Sequence, residues 1–117
     1  MIYHMISKEA WKVARENRLY EPPSLQTDRF IHCSTEEQVS GVANMFYTGR
    51  TDLLVLSIQE DQVDAEIVYE DLYKMNQLYP HIYGGLNLNA VQKVYRLEPD
   101  EVGLFTFQAS AELEYRG

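Results

Sequence analysis

The stretch Phe30-Ile31-His32-Cys33-Ser34-Thr35-Glu36-Glu37-Gln38-Val39 compresses a strand end, a polar cluster and a helix start into one short segment. Phe30 and Ile31 are bulky residues that suit a short buried strand. Ser34 and Glu37 have the S-x-x-E spacing of a capping box, so a helix is expected from about Thr35. His32 then stands at the carboxyl end of a strand, beside a helix amino terminus whose unpaired N–H groups and dipole favour negative charge. Such a corner suits a ligand carrying phosphate or hydroxyl groups. Taken alone, the segment reads first as Ser34 only capping the helix and His32 only filling a hydrogen bond.

Downstream, Val39, Val42, Ala43, Phe46 and Tyr47 recur at helical spacing, so the helix runs to about Tyr47 and packs on a sheet. Thr48-Gly49-Arg50 ends it. Leu53 to Ile58 follows as a nearly continuous apolar strand, a pattern that places it centrally with both faces buried. Glu66 to Glu70 reads as the next strand, and Asp71 to Leu78 as irregular loop. His81 and Tyr83 precede the Gly84-Gly85 pair, where a sharp bend is expected. Val91 to Leu97 and Leu104 to Phe107 read as closing strands around a turn at Pro99-Asp100 and Gly103, and the acidic tail from Ala109 as frayed.

Upstream, Ile2 to Met5 reads as a first or edge strand, and Ser7 as the cap of a helix to about Asn17 with Ala10, Trp11 and Ala14 inward. Pro22 and Pro23 make Leu19 to Leu25 an extended surface loop. The order is that of one α+β domain over residues 1–117: a curved, mainly antiparallel sheet with two packed helices.

The bulk properties narrow the function. A chain of 117 residues, 45% hydrophobic, supports one core. A net charge of −8 with scattered Lys and Arg argues against nucleic-acid binding. The longest apolar run is far short of a membrane span, and the amino terminus has no basic region followed by an apolar stretch. The single cysteine, Cys33, fits a reducing compartment, so a cytoplasmic location is expected.

Three elements carry chemistry if they converge: His32 with Ser34, Glu70, and His81 with Tyr83. A histidine beside a carboxylate acts as acid or base near neutral pH. Two histidines and a glutamate also match the ligand inventory of a facial triad, but no pair has the tight i, i+4 spacing of a helical zinc motif, and no metal is expected. Cys33 alternates away from His32 on the strand and points to the core, against a nucleophilic role. Tyrosine rings can stack on a base or a nicotinamide, and of the nine here most read as half-buried sheet residues, with Tyr83 and Tyr20 set apart by their glycine- or proline-marked loops.

Met1-Ile2-Tyr3-His4, the Trp11 helix, Phe30-Ile31-His32-Cys33-Ser34-Thr35 with Gln38-Val39, Asn44 with Phe46-Tyr47-Thr48-Gly49, Asp52 to Leu56, Tyr69-Glu70 and Pro80-His81-Ile82-Tyr83-Gly84 together resemble the small bacterial proteins grouped as domain of unknown function 952. That family's fold is similar to that of the ADP-ribosyltransferase superfamily. The resemblance implies a pocket for NAD, taken as substrate, or for ADP-ribose, with chemistry at the nicotinamide–ribose bond. It implies that His32-Cys33-Ser34 matches the His-x-Ser/Thr motif holding the nicotinamide ribose and amide. Thr35 and Gly84 would border that pocket and Tyr83 would supply the stacking ring. Glu70 or His81 would stabilise charge, although Glu70 comes earlier in the chain than the superfamily's catalytic glutamate. The alternatives are a small-ligand binding module without turnover and a protein-interaction domain with an unspecified partner.

Overall fold

The computed structural model describes all 117 residues. The first sheet is antiparallel, with β1 (Ile2–Ser7) and β8 (Val91–Leu97) flanking β4 (Leu53–Ile58). The continuous apolar run of β4 is explained by its two covers. Leu54, Leu56 and Ile58 pack with Trp11 and Ala14 of α1 (Lys8–Asn17), while Leu53 and Val55 pack with Val39 and Ala43 of α3 (Glu36–Phe46). All six β4 residues are buried, as a strand covered on both faces must be. Ser7 caps α1, its hydroxyl accepting from the Ala10 N–H at 3.0 Å.

A second antiparallel sheet joins β3 (Ile31–His32), β6 (Tyr79–Tyr83) and β5 (Glu66–Glu70), with β6 in the middle. The two sheets meet where Tyr3 and Ser34 exchange backbone hydrogen bonds, both 2.8 Å long. Ile31, Cys33 and Ile82 thereby join the same core as Ile2 and Ile6. A two-stranded pair, β2 (Leu19–Tyr20) with β7 (Leu86–Asn87), completes the pairing. The architecture is α+β with antiparallel pairing throughout, and no helix is long and apolar enough to cross a membrane.

Several local expectations change. The capping box is Thr35 with Gln38, whose Oε1 accepts from the Thr35 N–H at 3.0 Å, rather than Ser34 with Glu37. Ser34 is held extended by Tyr3, so the helix opens one residue later. Phe46 is 63% exposed, leaving Val39 and Ala43 as the buried face of α3. A third helix, the single turn α2 (Ser24–Thr27), follows the prolines and is closed by the Asp28 N–H on the Ser24 carbonyl.

Leu104 to Phe107 is not a strand, although Phe105 and Phe107 are buried. Its backbone pairs with α3 side chains instead of a sheet edge. Asn44 donates to the Phe105 carbonyl and accepts from the Phe105 N–H, and Ser40 Oγ accepts from the Phe107 N–H. The tail is also ordered by pairing. The Arg96 N–H donates to the Leu113 carbonyl, and the Tyr115 N–H to the Val94 carbonyl.

Candidate functional site

The register of the second sheet places His32 directly opposite His81, and His81 directly opposite Val68. Side chains two apart on a strand share a face, so Tyr83 and Glu70 lie on the face that carries both histidines. The structure therefore brings together three of the residues expected from sequence, His32, Glu70 and His81, with Tyr83 beside them. Glu70 Oε2 accepts from His81 Nδ1–H at 2.8 Å and from the Tyr83 hydroxyl. These two donors, Tyr83 first, hold the Glu70 carboxyl below the usual range.

Tyr73, in the irregular segment before β6, connects the two histidines. Its hydroxyl lies 3.1 Å from His81 Nε2 and also bonds His32 Nδ1. Burial, with further contributions from Asp28 and Tyr79, pushes its phenol up to about 12, so it remains a neutral hydroxyl. His32 Nε2 pairs with Asp28 Oδ2 at 2.7 Å. The result is one hydrogen-bonded chain: Asp28, His32, Tyr73, His81, Glu70, Tyr83.

The chain is rigidly held. His81 has no exposed surface, and Phe30 stacks on its ring with centroids 3.9 Å apart and planes 16° apart. Burial lowers the affinity of His81 for a proton, while Glu70 opposes that effect. The turn bearing Tyr73 is closed by Asp71, whose carboxylate accepts from the N–H groups of Met75 and Asn76, each at 2.9 Å. Behind the strand, His4 Nδ1–H donates to the His32 carbonyl at 2.6 Å and its Nε2 accepts from the Tyr20 hydroxyl at 3.0 Å. Burial drops His4 to about 4, fixing it as a neutral ring.

His32 and Tyr73 also form part of the wall of a cavity of about 480 Å³ between α3 and the strand edges. Gly41 of α3 faces this space, and a Cβ there would meet nothing within 4 Å. The remaining wall is mostly apolar, with Met45, Met75 and Tyr79 among its residues, and Ser34, Gln38 and Gln77 adding polar groups. Glu37 is its only carboxylate, and it has no Lys or Arg. Gln38 ties the rim together by donating to the Leu78 carbonyl at 2.9 Å.

The other expected residues occupy different places. Thr35 caps α3. Gly84 makes the bend after β6 with φ +152°, where a Cβ would come within 2.9 Å of the Ala65 Cβ. His81 and Tyr83 lie on a strand rather than in a loop, and Tyr83 sits at the Glu70 end of the chain, outside the cavity wall. Cys33 is buried, and burial pushes its thiol far up, which removes it as a nucleophile. No three His, Cys, Asp or Glu side chains gather in an arrangement that could hold a metal ion.

Fold and site together define a small α+β protein with a helix–sheet cavity and a histidine–tyrosine–carboxylate chain entering its wall. The family model described as "Protein of unknown function (DUF952)" matches residues 5–94, and the chain belongs to that family. The crystal structure of CC0527 from Caulobacter crescentus is similar at a TM-score of 0.81 and 24% identity, covering 90% of this chain and 92% of that one. The solution structure of CC0527 gives a TM-score of 0.69 at 24% identity, covering 88% and 89%. This likeness is one of fold. No curated protein matches the chain.

Proposed function

We propose that the chain binds a small nucleoside-type ligand in the cavity beside His32, the nicotinamide–ribose end of NAD being the reading that the family resemblance implies. The observation that carries the proposal is the joining of an apolar cavity of about 480 Å³ to a hydrogen-bonded His32–Tyr73 pair. A cavity of this size is within the range of small-molecule sites, which combine apolar walls with a few polar groups. A flat ring would lie against Tyr73, Tyr79 and the methionines. A ribose hydroxyl would bond His32 in place of Asp28, and Ser34 or Gln38 would orient an amide.

The wall contains no Lys or Arg, so it offers nothing to a pyrophosphate, and the phosphates of a dinucleotide would remain outside. His32 supplies acid–base capacity for chemistry at the nicotinamide–ribose bond. Binding without turnover is the second reading. It is favoured by Glu70, whose carboxylate is engaged by His81 and Tyr83 and does not line the cavity.

An amide NMR titration with nicotinamide riboside, NAD and ADP-ribose tests the proposal, with nicotinamide release followed in parallel. Shifts at His32, Ser34, Gln38 and Tyr73 for riboside and NAD alike, lost in His32→Ala, support the site. Release of nicotinamide supports the enzyme, and its absence the binding module. If none of the three ligands moves these residues at millimolar concentration, the proposal fails.

A further inference from the structure

His32 and His81 are joined through a single hydroxyl, and the other nitrogen of each ring faces a carboxylate. This arrangement fixes the proton count. Glu70 accepts, so His81 carries a proton on Nδ1, and Asp28 accepts, so His32 carries one on Nε2. Two contacts remain, His32 Nδ1 to Tyr73 and Tyr73 to His81 Nε2. The hydroxyl has one proton and can donate to only one ring. The other contact becomes a hydrogen bond only if that ring's nitrogen is protonated as well. With both rings neutral, one lone pair would face another.

We infer that His32, Tyr73 and His81 form a proton relay that holds one excess proton between the two histidines. In one state His32 is the cation: its Nδ1–H donates to the Tyr73 oxygen, and the Tyr73 O–H donates to His81 Nε2. In the other, the Tyr73 proton has passed to His81 Nε2 and the His32 Nδ1 proton has passed to the Tyr73 oxygen. His81 is then the cation and the new O–H donates back to His32. Tyr73 is neutral in both states, and no proton is gained or lost.

The groups around the pair set the balance. His32 is half-exposed, with its side chain 41% accessible, and faces Asp28. His81 is fully enclosed beneath Phe30 and faces Glu70, which Tyr83 partly neutralises by hydrogen bonding. His4, packed behind β3, remains neutral and holds the His32 carbonyl. Enclosure disfavours the cationic ring at His81, so His32 is the open end of the pair. Tyr73 is thereby assigned as the relay residue. Use of this proton on a ligand, at His32 Nε2 after displacement of Asp28, rests on the cavity reading above; the relay itself does not.

Histidine ring ¹⁵N NMR on the ligand-free full chain, titrated from pH 4 to 9, tests the relay in the wild type and in Tyr73→Phe. Relay geometry requires neutral His81 to carry its proton on Nδ1. It also requires the His32 midpoint to fall by at least half a pH unit in Tyr73→Phe, which removes the acceptor for Nδ1–H but keeps the ring. A proton on Nε2 of neutral His81, or an unchanged His32 midpoint, overturns the inference. The wild-type tautomer decides the first point even if the variant folds poorly. Because no ligand is present, failure here is separate from failure of the nucleoside proposal.

Discussion

His32 and His81 are register partners on adjacent antiparallel strands, their ring centroids 5.7 Å apart, and Phe30 covers both. Two imidazoles at this distance on one face would repel each other if both were charged. The Tyr73 hydroxyl between them and a carboxylate on each outer side convert the juxtaposition into one continuous chain. Phe30 is 5% exposed and supplies the dry side of this arrangement.

Replacing Phe30 by Ala removes the ring stacked on His81 and opens a cavity under both histidines. The expected cost is about 3 kcal/mol in urea unfolding, with loss of the His81 ring's dispersed NMR position. A cost below about 1 kcal/mol would show that the stack contributes little.

Acid weakens the fold through His4. Its folded affinity for a proton, about 4, lies below the usual value of 6.5, so the unfolded chain binds the proton first and stability rises with pH across that interval. The contribution is complete above pH 6.5 and is lost as pH falls towards 4, an effect of about 3 kcal/mol. Glu70, also held low, adds loss in the same direction at more acid pH. In His4→Gln the urea midpoint should depend less on pH over this interval, and an unchanged slope would assign the acid sensitivity elsewhere.

Cys33 should be inert in the folded protein. Its side chain is buried and its thiolate strongly disfavoured, so a thiol reagent at pH 8 should modify it only on the timescale of unfolding. Rapid stoichiometric labelling without denaturant would contradict the placement of Cys33 in the core.

Asn44 serves the segment that replaces the expected last strand. Asn44→Ala leaves the Phe105 N–H and carbonyl without their partners, at a cost of about 2 kcal/mol, and should raise amide exchange from Phe105 to Phe107. Unchanged exchange there would show that the segment is held by its aromatic rings alone.

Much of the fold was legible in the sequence because local patterns and burial agreed. The six apolar residues of β4, the Ser7 cap of α1, the Glu66 to Glu70 strand and the Val91 to Leu97 strand follow from periodicity and capping chemistry. Leu104 to Phe107 has the alternation of a strand, yet its partners are Asn44 and Ser40 on a distant helix, a relation that no local pattern contains. The site shows the same division. His32, Glu70 and His81 stand out as titratable residues in or beside apolar strands. Tyr73 lies in a polar, aperiodic segment whose shape depends on Asp71 accepting from Met75 and Asn76, so its position between the histidines was hidden. Asp28 had one local signal, its position four residues before His32.

Gly41 gives the best experimental access to the proposed ligand site between α3 and the sheet edge. Gly41 lines the cavity with nothing near its missing side chain, and replacing a helix-interior glycine favours folding by about 0.5–1 kcal/mol. The decisive measurement is calorimetric titration of nicotinamide riboside into the wild type and Gly41→Leu, with thermal unfolding of both. Gly41→Leu should be at least as stable as the wild type, and its affinity should fall at least tenfold as the leucine fills the cavity. Equal affinity in a well-folded Gly41→Leu would place the binding site elsewhere.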